Sequence, residues 1–148
     1  MRIRRGMILC MVVLPMATLG TSAKNKDKYV DYRVQAKAAI AETETKRYFT
    51  QLGYVIDEST ILCNEHPAPE TIVFRHTMEE RAGTSGRTFV IVTVRQQGGF
   101  STIHVEGCDQ LVWGLSFATK RWDSIRIHKN WDEAFAEIGR RSKAADSE

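Results

Sequence analysis

The sequence predicts an α+β domain: an N-terminal helix, an antiparallel sheet of about five or six strands, and a C-terminal helix, with both helices on one face of the sheet. Three observations carry this. Apolar and small residues recur at steps of three and four from Val30 to Leu52, the period falls to two over most of the segment from Tyr54 to His128, and helical spacing returns after Asn130.

The first element lies outside the fold. Arg2, Arg4 and Arg5 precede a short apolar run, Met7 to Leu19, and Thr21-Ser22-Ala23 offers a small-residue cleavage site, so residues 1–23 read as an export signal. The run is too short for a spanning helix, which needs about 20 apolar residues, and Pro15 breaks it. Cys10 sits inside the apolar run, where a lipidated cysteine would instead follow it. General secretion is therefore expected, with no stable membrane anchor after cleavage.

Removing the leader changes the electrostatics. It holds three of the 21 Lys and Arg and none of the 18 Asp and Glu, which leaves 18 positive against 18 negative residues. Nucleic-acid binding draws on a surplus of cations gathered on one face, and no such surplus remains. Nucleic acid and anionic membrane are demoted as partners on that ground. The remaining 125 residues suffice for one domain.

Cys63 and Cys108 are the two cysteines left after cleavage. An even pair in an oxidising compartment predicts one disulfide, while 45 intervening steps lack the paired short spacings of a zinc site. Residues 24–29 read as a flexible tail, 30–141 as the domain, and 142–148 as a polar tail.

Within the domain, Val30, Val34, Ala38, Ala41, Thr45, Tyr48 and Leu52 form one stripe of an amphipathic helix that Gly53 ends. Tyr54 to Glu58 and Thr60 to Cys63 read as short strands, and prolines at 67 and 69 exclude a central strand between them and the next. Thr71 to Met78 is a strand, residues 79–86 a polar loop, and Arg87 to Gln96 a central strand, apolar on both faces. Gly98-Gly99 marks a tight hairpin into Phe100 to Glu106. Gly107-Cys108-Asp109 reads as a turn, and Leu111, Trp113, Leu115 and Phe117 as a strand, with Trp113 in the core. Ser124 to His128 reads as a last short strand with Ile125 and Ile127 inward. Asn130 with Glu133 then forms a capping box for the second helix.

No catalytic motif stands out. His104-Val105-Glu106 lacks the downstream cysteine pair of a zinc deaminase. Gly114-Leu115-Ser116-Phe117-Ala118 lies in a strand-like pattern, where a nucleophile elbow needs strand, turn and helix. His66 beside Cys63 suggests a nucleophile pair, but the second cysteine favours a bridge, and His76 reads as a loop cap. No cofactor or metal site is expected.

The candidate binding residues are His104, Glu106, Arg126 and His128, expected together on an open sheet face, and Trp122, expected as an exposed anchor in a turn beside Lys120 and Arg121. The function expected from these features is an exported, non-enzymatic binding protein of the bacterial cell envelope, of the inhibitor, immunity-type or assembly-accessory kind, acting on a protein partner through sheet-face and loop contacts. The alternative is a small periplasmic enzyme or small-molecule carrier that uses the same face. A closed cavity into which the four polar residues converge would favour the alternative.

Overall fold

A computed structural model describes residues 27–57, 70–81 and 84–148. The leader, Cys63, His66 and the strand expected over 60–63 lie outside the described residues. The described chain forms an α+β arrangement in the order β1 (Tyr29–Val34), α1 (Ala38–Gln51), β2 (Val55–Ile56), β3 (Thr71–Arg81), β4 (Thr84–Gln97), β5 (Phe100–Trp113), β6 (Ser116–Arg121) and α2 (Ser124–Asp146). The six strands make one antiparallel sheet in the order β1-β5-β4-β3-β2, with β6 also pairing β5.

Several expected elements are corrected; the polar loop expected over 79–86 is shorter, because β3 runs to Arg81 and β4 begins at Thr84. The first helix does not begin at Val30: residues 29–34 are a strand, and the helix starts at Ala38. Val30 and Val34 satisfy a step of four, but with Tyr32 between them they equally satisfy a step of two. Pairing with β5 decides it, since Val30 lies opposite Val105 and Tyr32 opposite Ile103.

Gly107-Cys108-Asp109 is not a turn; β5 runs straight through it. The glycine is there for close approach, because a Cβ at 107 would stand 2.8 Å from Cε3 of Trp122. The chain turns later, at Gly114-Leu115, where Trp113 pairs with Ser116 and Gly114 adopts φ +58°.

Ser124 to His128 is the first turn of α2 rather than a strand. Asp123 is its N-cap, its Oδ1 accepting from the Arg126 N–H at 2.9 Å, so the Asn130 capping box does not form the helix start. Ile127, Trp131, Ala134, Phe135, Ile138 and Ser142 form the buried stripe, whereas Ile125 is exposed. The tail expected from Ser142 is helical to Asp146. At the other end, the Asp27 carbonyl accepts from the Ser124 N–H at 2.7 Å, which ties the entry of β1 to the start of α2.

The principal core joins Val30 and Val34 of β1, Phe74 of β3, Val90 and Val92 of β4, and Ile103 and Val105 of β5 with Phe49 of α1 and the buried stripe of α2. Phe49 is its centre: its ring lies 4.7 Å from Phe74, 5.1 Å from Trp131 and 5.9 Å from Phe135. Alternation places Val73, Phe89 and Cys108 on the other side of the same strands, where they form a second, smaller buried cluster.

Candidate functional site

The register of β5 separates the candidate residues. Ile103, Val105, Gly107 and Asp109 point to the core side, so His104 and Glu106 point to the other. There β1 supplies their neighbours: Asp31 lies opposite His104, and Tyr29 opposite Glu106. His104 Nδ1 is 2.7 Å from Asp31 Oδ1, which makes that nitrogen the protonated one, and the Tyr29 ring lies 4.7 Å from the imidazole. Arg121 of β6 donates to Glu106 Oε1 at 2.9 Å. Tyr29, Asp31, His104, Glu106 and Arg121 thus form a polar, part-exposed patch over three strands. His104 and Asp31 share a hydrogen bond, and Arg121 and Glu106 form an ion pair.

Arg126 and His128 do not join that patch. Arg126 packs on the core side, with one guanidinium nitrogen 2.7 Å from Asp109 Oδ2 and its Cζ 4.2 Å above the Trp122 ring. Asp109 also accepts from the Thr88 hydroxyl at 3.0 Å. His128 lies on exposed helix surface, its Nδ1 2.8 Å from Asp132 Oδ1, and the same oxygen accepts from the Tyr32 hydroxyl at 2.7 Å. The expected four-residue constellation on one face is therefore corrected: a helical turn at 124–128 replaces the strand that would have aligned Arg126 and His128 with His104 and Glu106.

Trp122 is likewise corrected as an exposed residue. It is 4% exposed, lies against Gly107 and stacks near Trp131 at 6.1 Å. Trp113, expected in the core, is 46% exposed. Both tryptophans sit beside charged or apolar neighbours that allow either placement, and the shared flank of β5 decides between them. β6 stops at Arg121, and the Trp122 N–H donates to the Gly107 carbonyl at 2.8 Å, drawing its ring over the glycine.

On the core side a second polar group surrounds these aromatics. His76, Thr88 and Asp109 lie side by side across β3, β4 and β5. Tyr54 approaches from beyond α1, its ring 5.0 Å from His76 and 5.8 Å from Trp131. Burial, then the Asp109 charge, pushes the Tyr54 hydroxyl up to about 12, so it stays a donor. Burial and the Asp132 hydrogen bond raise Tyr32 well above the usual tyrosine range. Asp132 is held below the usual carboxylate range: its slight desolvation opposes this, but hydrogen bonds from Tyr32 and His128 and the His128 charge outweigh it.

An open groove of about 690 Å³ lies elsewhere, lined by Glu42, Glu70, Thr71, Ile72, Val94, Arg95 and Gln96. None of the five candidate residues lines it. Among the described residues no group of three His, Cys, Asp or Glu side chains is arranged to hold a metal ion, and no helix is long and apolar enough to cross a membrane.

Sequence reasoning missed Asp31 because it placed it in a helix, Tyr29 because it placed it in a flexible tail, and Arg121 because it ended the strand pattern too early. The alternation Val30-Tyr32-Val34 was the available signal for the first two. Comparison with known proteins finds no family model that matches the chain and no curated protein that matches it.

Proposed function

We propose that this chain is an exported, non-enzymatic binding protein of the bacterial cell envelope, of the inhibitor, immunity-type or assembly-accessory kind. It engages a protein partner through the outer face of β1, β5 and β6. The observation that carries the reading is the patch of Tyr29, Asp31, His104, Glu106 and Arg121, in which Tyr29 is 42% exposed and the His104–Asp31 hydrogen bond and the Arg121–Glu106 ion pair stand part-exposed on adjacent strands. Tyrosine and arginine on a polar sheet surface are the residue types that anchor protein interfaces and give them specificity.

The reading takes both helices to cover the sheet face that carries Val90 and Val105, leaving this patch to partners. It takes the leader to be cleaved after Ala23, and Cys63 to bridge to Cys108, whose side chain is 1% exposed. In the chain-entropy account that bridge contributes about 4 kcal/mol.

The test is affinity capture from envelope extract with the wild-type protein and with Arg121→Glu as paired baits. The variant reverses one charge at a part-exposed position. A partner enriched by the wild type and lost with Arg121→Glu supports the reading. Identical captures from both baits, with both folded, refute it.

A further inference from the structure

The β5–β6 hairpin ends in an apolar apex. Leu111 and Trp113 are 45% and 46% exposed, and Leu115, at the turn, is 105% exposed. Gly114, at φ +58°, makes the turn tight, so these side chains stand at the end of a paired ribbon. The register places Leu111 and Trp113 two and four residues beyond Asp109 on the same side of β5. They therefore lie past the polar row of His76, Thr88 and Asp109, on the opposite side of β5 from the His104–Glu106 patch.

Two observations select what covers this apex. Three side chains present on the order of a few hundred Å² of apolar surface, well short of the roughly 800 Å² per partner of a stable protein interface. A second copy of the chain, or a globular protein, would gain too little from the apex alone. Charge is the other. From Leu111 to Arg121 the hairpin carries no carboxylate; of its two cations Arg121 is paired with Glu106, and Lys120 is exposed. A tryptophan beside leucines at a tip, with an exposed lysine a few residues behind, is the arrangement that settles at the headgroup level of a bilayer.

The zero net charge of residues 24–148 disfavours anionic membrane as a partner of the whole surface, but one local contact needs no overall surplus. We propose that the apex of the β5–β6 hairpin docks peripherally on an anionic lipid surface, with Leu115 and Trp113 entering the interface and Lys120 meeting the headgroups. The contact holds the polar patch of β1, β5 and β6 near the membrane, and it stands independently of whether that patch binds a protein. Its strength falls with salt, because the cationic part is screened.

The test uses the full chain with vesicles of phosphatidylcholine, alone and with phosphatidylglycerol, some made with brominated acyl chains. The leader contains no tryptophan, and Trp122 and Trp131 are 4% and 8% exposed, so quenching by bromine reads Trp113. Expected is quenching and a blue shift that are strongest with phosphatidylglycerol, with Leu115→Ser weakening partition about tenfold. Leu115 is fully exposed, so the substitution leaves the fold intact, and an unchanged thermal melt verifies this. The proposal is overturned if Trp113 is not quenched in the wild type, or if Leu115→Ser partitions equally. It is also overturned if sedimentation shows a dimer that Leu115→Ser dissolves, since the apex then belongs to a second copy.

Discussion

Gly107→Ala tests the packing that joins sheet and helix. The new methyl would stand 2.8 Å from Cε3 and 2.9 Å from Cδ2 of Trp122, inside any real carbon contact. The indole has little room to retreat. Arg126 lies over it at 4.2 Å, Trp131 stacks near it, and its own backbone N–H is fixed to the Gly107 carbonyl. Overpacking a closed site of this kind costs about 2 kcal/mol. At roughly 4 °C per kcal/mol for a domain of this size, the melting temperature drops by about 8 °C. Thermal unfolding followed by circular dichroism measures it. The cause is checked in a Trp122→Leu background, which withdraws the six-membered ring and leaves the methyl nearly unopposed. Coupling between the two sites is then large. If Gly107→Ala melts at or above the wild type, or loses the same amount in both backgrounds, the indole does not press on Gly107.

Other substitutions read other parts of the fold. Phe49→Ala empties a fully buried site ringed by Phe74, Trp131 and Phe135, and loses about 3–5 kcal/mol in urea unfolding. Asp123→Ala removes the cap of α2 and lowers stability by about 1 kcal/mol in the same assay. Tyr54 keeps its proton up to about 12 when folded, against 10.0 for the ordinary group, so its contribution is whole below about pH 10 and fades as pH rises toward 12. Tyr54→Phe should flatten that alkaline limb in a stability-pH profile. Asp132 works the other way. Its lowered carboxyl adds stability above the ordinary carboxylate range that is lost as pH falls through its folded value, and Asp132→Asn should remove that acid dependence.

The class of the fold was legible because long elements carry their period many times over. The buried stripe of α2 repeats from Ile127 to Ser142, and β4 shows its apolar faces across Phe89 to Val94. Short or boundary elements were not. Six residues of β1 fit either period, and Ser124 to His128 alternates only because two isoleucines flank an arginine. Tertiary pairing settled the first and the Asp123 cap the second. The site followed the same division. His104 and Glu106 were rightly placed on one face of one strand, but their partners Asp31 and Arg121 come from strands far apart in sequence, and no local pattern states which strands adjoin. Trp122 and Trp113 exchanged expected environments for a reason invisible in composition, namely that the missing side chain at Gly107 is where an indole fits.

One flank of β5 is shared by two strands of unlike origin. β6 reaches it through a two-residue turn, whereas β1 pairs residues 29–34 with 101–106 across most of the domain's length. Closing so long a loop is slow compared with forming adjacent hairpins. The β4–β5–β6 meander can therefore assemble first, with β1 arriving last against a preformed strand and locked by Asp31, Tyr32 and the Asp27 carbonyl. Native-state hydrogen exchange would then divide β5 along its own length. Amides bonded to β1 would open at lower free energy than those bonded to β4, making the edge that carries Asp31 the most readily released part of the proposed binding face.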